Sequence, residues 1–441
     1  VSLIKAPIVI RNRPKRKLSM QRQQLRNVTV EGIPAIVFQT LLAGPFLTGY
    51  LLYLGASASQ IGFVLAITTF VNIAQVAVAF LIQRLEKRKK LFVTFGVVQR
   101  LIWGVTGLVP FLFDRSLWVA AFIVLYVAAF FANTVVTVLW TSIVSDLVPP
   151  AVRGRYFGMR NTIVNAVGSV TLFVGGIILD ANPGGSGFLI LYAIVWTCIL
   201  INILVLIRFP DVPFERSAET KFIPMLRKPL HDVPFIKATA FLSFFLLLQT
   251  IVVPLYSYAM LDILGLSYKT VSTMTVVQTL CMMASFYAWG SLNARFSSKQ
   301  LLYWTLPIVA LSCMAWGLQA FLPVIAALVI VHMLLGVGIG GFNQLSFNFI
   351  IGDTPKRERP MFTAVYSAAT GLMSFFGPLI GGQVYEWIAD APYWIQAYGV
   401  QMTVGTLLLV FSVTVGRPVL VGQRLGASSL RRLKRRKALR A

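Results

Sequence analysis

Twelve runs of mostly apolar residues, each cut off by Gly, Pro or charge, leave this chain one solvent in which to fold. They lie at about 28–54, 58–82, 91–113, 117–141, 157–179, 188–208, 235–261, 270–293, 300–321, 324–351, 361–385 and 393–416. A helix needs about 20 apolar residues to cross a hydrocarbon core, and each run supplies roughly that. Barrel strands would alternate over about ten residues. These runs are continuously apolar, so helices are expected. Of the 441 residues, 57% are hydrophobic and only 12% charged. Soluble domains carry roughly 25% charge, and one or two soluble cores could not hide this much apolar surface.

The charges that remain are sorted by position. The net charge is +25, from 39 Lys and Arg against 14 Asp and Glu. With the spans alternating in direction, 36 of the 39 basic residues fall on the side that holds the N-terminus. Only Arg115 and Lys269 fall on the other side, and Arg100 lies mid-span. This asymmetry is a topology signal. It places both termini in the cytoplasm, requires an even number of spans, and fits a bacterial inner membrane. Basic residues confined to tails and loops between apolar runs exclude nucleic acid as a partner. They suit anionic lipid instead.

No cofactor or metal is implied. Cys198, Cys281 and Cys313 lie inside apolar runs without CxxC spacing, and His231 and His332 are far apart. No nucleotide motif or nucleophile–base arrangement suggests an enzyme.

The chain divides in two. Residues 209–234 form the one long polar stretch between spans, rich in Pro and charge. The expected organisation is a basic tail at 1–27, a six-helix bundle at 28–208, a linker at 209–234, a second bundle at 235–416 and a basic tail at 417–441. The halves resemble copies. Gln39-Thr40 and Leu54-Gly55 in span 1 recur about 210 residues later as Gln249-Thr250 and Leu264-Gly265. Arg84 after span 2 corresponds to Arg295 after span 8. Asp146 ends span 4 and Asp353 ends span 10, each followed by Pro and then an Arg-x-Arg triplet. Four matches in order are the trace of an internal duplication.

On these residues the chain resembles the major facilitator superfamily. That family's loop between helices 2 and 3 reads G-x-x-x-D-R-x-G-R-R/K. Here the stretch Ala79 to Arg88 keeps the basic positions, with Gln83 at the motif's acid. The second copy, Gly290 to Lys299, keeps the Gly, the Arg and the last basic residue. Asp146 to Arg155, D-L-V-P-P-A-V-R-G-R, is similar to the family's D/E-x-x-P-x-x-x-R-G-R loop. The resemblance implies an all-α integral membrane protein of twelve helices in two pseudo-symmetric six-helix bundles. It also implies transport of a small-molecule substrate by rocker-switch alternating access. Arg84, Asp146, Arg153, Arg155, Arg295 and Asp353 are then expected to form a cytoplasmic gate of ion pairs.

Two buried charges stand out. Glu31 alone among the acids lies inside a span, near the start of the first, and Arg100 lies near the centre of the third. An Arg there costs about 2.5–3.5 kcal/mol on insertion scales, so it should face the bundle interior and have a partner. Three readings stay open: a structural Glu31–Arg100 pair, a proton-coupling site at Glu31, or an Arg100 that binds an anionic group on the substrate. By resemblance, spans 1, 4, 7 and 10 line a central cavity. Their mid-depth polar residues are Gln39, Asn133, Gln249, Asn343 and Gln344. Tyr256 follows Gln249 by two helical turns and shares its face. Asn133, Thr137 and Trp140 form another stripe. Amides beside aromatic faces suit a partly apolar organic molecule.

The leading expectation is a monomeric secondary transporter or facilitator of a small organic solute, with proton coupling open. The alternatives are a lipid or amphiphile flippase, or a non-transporting membrane scaffold or assembly factor on the same fold.

Overall fold

The computed structural model describes residues 20–82, 88–148, 153–210, 222–293, 295–353 and 359–421. Among these residues the secondary structure is helical, without a strand. The spans, α1–α12, follow the order read from the sequence. The first, α1, is a bent pair, Met20–Leu41 and Gly44–Tyr53. Then come α2 (Ala58–Ile82), α3 (Arg88–Leu112), α4 (Trp118–Leu147), α5 (Arg153–Ala181) and α6 (Gly185–Ile207). The second half holds α7 (Val233–Ile263), α8 (Tyr268–Asn293), α9 (Ser298–Ala320), α10 (Val324–Asp353), α11 (Arg359–Trp387) and α12 (Ile395–Val421). A short helix, Phe222–His231, precedes α7. Among the described residues, ten helices are long and apolar enough to cross a membrane, and α1 makes an eleventh if its bent pair is one span. The 25-residue α2, apolar over Ala58–Phe70, completes twelve.

Local chemistry explains the irregularities. The 41° bend in α1 falls at Gly44, whose φ of +54° a side chain would strain. Pro45 follows it at the new helix start, where its missing N–H costs nothing. In α3 and α7, single tight turns sit beside Pro110 and within Val253–Leu255, which contains Pro254. Asp232 caps α7 by accepting from the Phe235 N–H at 3.0 Å.

Outward faces are apolar as well as inward ones. On α6, Leu189, Leu200, Leu204 and Ile207 are exposed while Leu191, Val195, Ile199 and Leu206 are buried. A helix apolar all round is a membrane helix, its outer face dissolved in lipid.

The two bundles meet along two seams, α2 against α11 and α5 against α8. The first is tight because glycines let backbones touch. A Cβ on Gly382 would lie 2.6 Å from the Ala58 carbonyl oxygen, and one on Gly62 would clash with that of Pro378. Gly382→Leu is therefore expected to lower the thermal unfolding midpoint in detergent, since overpacking of this kind costs about 1–3 kcal/mol or more. A midpoint equal to wild type would show that the seam is looser than its geometry.

At the face opposite the termini, each bundle caps a helix of the other. Asp180, near the end of α5, accepts from the backbone N–H groups of Tyr268 at 2.8 Å and Lys269 at 2.9 Å, the first residues of α8. Glu386, near the end of α11, accepts from the Ser59 N–H at 3.1 Å, at the start of α2. These are equivalent positions in the two halves. Each carboxylate satisfies orphan N–H groups and meets the positive end of a helix dipole.

Candidate functional site

Burial and polarity converge in the N-terminal bundle. Glu31 on α1 and Arg100 on α3 are both 3% exposed. The Arg100 Nη2 donates to Glu31 Oε1 at 3.3 Å. Nη1 donates to the Gly96 carbonyl at 3.0 Å and to Gln99 Oε1 at 3.1 Å, and Nε donates to Asn202 Oδ1. Asn202, fully buried on α6, closes the network from the other side. Its Nδ2 donates to the Glu31 carbonyl at 2.8 Å and to Glu31 Oε1 at 3.2 Å. The guanidinium also lies 5.7 Å from the centre of the Phe38 ring. Three helices are thus pinned by one charge pair in which every Arg100 side-chain nitrogen is bonded, which eases the cost of burying it.

Beside this network lies a cavity of about 250 Å³. Glu31 and Arg100 form one wall, and Gln39, Asn133, Trp140 and Arg160 face it from α1, α4 and α5. It sits toward the face that carries the termini. Phe92 is in the second turn of α3, Arg160 in the second or third turn of α5, and Trp140 in the last turns of α4. On the far side, aromatic rings run from Phe38 to Trp103 (6.0 Å), Phe130 (5.7 Å), Tyr126 (4.7 Å), Phe122 (5.5 Å) and Tyr50 (5.7 Å). The void among these rings is only about 10 Å³, room for one water at most.

The residues singled out from the sequence divide in two. Glu31, Gln39, Arg100 and Asn133 line this one cavity. Gln249, Tyr256, Asn343 and Gln344 do not. Gln249 is 7% exposed on α7. Tyr256 is in the core of the second bundle, its hydroxyl on the Cys313 sulfur at 3.2 Å and its ring against Trp316 at 4.8 Å. Asn343 is exposed, and Gln344 packs beside Gly290 of α8 with a buried Oε1 that lacks a hydrogen bond. Of the expected gate, Arg84 lies outside the described residues, as do the side chains of Asp146, Arg153, Arg155 and Asp353. Arg295 is exposed just past α8.

Two cavity-side residues escaped the sequence reading. Asn202 is a lone amide in an apolar run, and only the fold brings it to Glu31. Arg160 reads as one more loop cation, yet it stands on α5 with its guanidinium 4.7 Å from the centre of the Trp140 ring. Gly32 makes room for it, since a Cβ there would lie 3.0 Å from Arg160 Nη2.

Two helical bundles meeting at closely packed seams, with a polar cavity among apolar membrane-length helices, are the architecture that the sequence resemblance implies. Residues 40–395 match the MFS_1 like family, and the chain belongs to that family, within the major facilitator superfamily. Among curated proteins it is similar to the MFS-type transporter ungB of Aspergillus violaceofuscus, at 23% identity over 31% of this chain and 24% of that protein. It is also similar to the MFS-type transporter phomT of Diaporthe leptostromiformis, at 29% identity over 31% of this chain and 22% of the other. The aligned stretch thus spans about a quarter of each relative's length. Among solved structures, a mutant of the nucleoside transporter NupG superposes with a TM-score of 0.70 at 12% identity, covering 92% of this chain and all of that one. Identity that low speaks for the fold alone.

Proposed function

We propose that this protein carries a small organic solute across a membrane by alternating access, with the cavity at Gln39, Asn133 and Trp140 as its binding site. The observation that carries this reading is a polar, roughly 250 Å³ cavity set toward one face while the opposite face is held shut by carboxylate caps between the bundles. A solute bound there would be released when the caps part and the bundles rock on their seams. The 36-to-2 distribution of basic residues supports cytoplasmic termini, which would make the capped face the outer one. The gate expected at Arg84, Asp146, Arg153, Arg155, Arg295 and Asp353 would close the opposite one. The basic tails, 1–27 and 417–441, meet anionic lipid, and the chain acts as a monomer with 209–234 as the linker between its halves.

The bonds from Arg100 and Asn202 to Glu31 support a structural pair over a proton site. Uptake into proteoliposomes by a Glu31→Gln variant that still folds should then keep whatever dependence on a proton gradient the wild type has. Loss of that dependence alone would return Glu31 to a coupling role.

Asn133→Ala should raise the KM for the transported solute about tenfold and leave kcat within a few-fold, as loss of one hydrogen bond to a bound molecule does. The test of transport itself is solute counterflow in proteoliposomes, screened first by thermal shift against metabolite classes. Solutes that stabilise the protein but never cross would sink it.

A further inference from the structure

The charges on the cavity wall do not cancel. Three ionised side chains line it: Glu31, Arg100 and Arg160. Glu31 and Arg100 are spent on each other, and the remaining donors of Arg100 are taken by Gly96, Gln99 and Asn202. Arg160 has no such company. Its Nε is buried without a hydrogen-bond partner, and no acceptor among the described residues bonds the rest of the guanidinium. Its nearest company is the face of Trp140, with the Tyr156 side chain within electrostatic range. A ring stabilises a cation without accepting its hydrogen bonds, so the fork of N–H donors stays unused.

We infer that the cavity takes a small organic monoanion, with its carboxylate on Arg160 and its apolar body along Trp140. The inference rests on the reading of this cavity as the solute site. A single uncompensated positive charge on a cavity wall at the end of a membrane span favours a single negative one. A carboxylate supplies that, whereas a phosphate monoester would bring about −1.5 to −2. The guanidinium fork matches the two oxygens of a carboxylate in one plane. Gln39 and Asn133 can accept or donate to further polar groups on the ligand. Arg100, the obvious anion receptor from sequence, is excluded by its own partners. The receptor is the cation one helix away.

The test uses the purified full chain and a panel of acetate, hexanoate and benzoate, with their amides and amines as neutral and cationic counterparts. At least one carboxylate should raise the unfolding midpoint where its amide does not. Arg160→Gln should weaken that protection about tenfold to a hundredfold, while Arg160→Lys keeps part of it. Trp140→Leu should weaken protection by benzoate more than by acetate, and it reports on the site even where Arg160→Gln fails to fold. Equal protection by amides, protection that survives Arg160→Gln, protection by chloride alone, or no protection by any carboxylate would each overturn the inference. Counterflow separates the two readings. Carboxylates that bind through Arg160 but do not cross would uphold the anion site and remove transport. Neutral solutes that cross equally well in wild type and Arg160→Gln would uphold transport and remove the anion site.

Discussion

Replacing Arg100 with Met is expected to destabilise the protein by about 3–5 kcal/mol, because it strands the Glu31 carboxylate in a buried site. Glu31 would retain only the Asn202 amide, 3.2 Å away, as a side-chain donor. The double variant Glu31→Gln with Arg100→Met removes both charges and should recover most of the loss. A pair worth its reputation only as a matched set behaves this way, and a double-mutant cycle isolates the coupling. Thermal unfolding in detergent gives all four corners of the cycle. Strict additivity of the two single changes would mean that the pair contributes nothing as a pair. Asn202→Leu should cost less than Arg100→Met, since it removes hydrogen bonds and leaves the ion pair in place.

The second large effect concerns which face is open. Removing both caps on the face opposite the termini, Asp180→Ala with Glu386→Ala, should shift the protein toward the state open at that face about tenfold to a thousandfold. Three hydrogen bonds from backbone N–H groups to carboxylates are lost, each worth about 0.5–1.5 kcal/mol net at an exposed site. A single cysteine at Gln39, in a background without Cys198, Cys281 and Cys313, reports the shift. Its labelling by an impermeant maleimide from the outer side should rise with the population. Unchanged labelling would mean that the glycine seams and the aromatic rings around Tyr50 hold the outer face shut without the caps. One cap removed alone should give an intermediate rate.

Much of this architecture was legible from residues in a row. Span number, length and order come from the thickness and dryness of a bilayer, which act on each segment separately. The duplication was legible for the same reason, as repeated local pattern. The depth of Glu31 and Arg100 within their spans sufficed to suspect a pair, because a buried charge without a partner is too costly to keep. Asn202 was not legible, since an amide in an apolar helix can face any neighbour.

The symmetric glutamines teach the limit of the repeat. Gln39 and Gln249 sit at matching positions, yet Gln39 is exposed to a cavity and Gln249 is 7% exposed. Pseudo-symmetry relates backbones, while each side chain's surroundings depend on its own half's neighbours. Arg160 shows the converse. In the sequence it belongs to a basic stretch near a span boundary, and nothing local tells a loop cation from a cavity cation.

The twelve spans in two related halves are readable from residues in a row, because hydropathy and charge bias are local and the bilayer reads them one segment at a time. Which polar residues share a cavity, and which cation there lacks a carboxylate partner, depends on tertiary packing. Those are relations between helices tens to hundreds of residues apart. They are set by how side chains of different spans fit and neutralise one another, which no single span encodes.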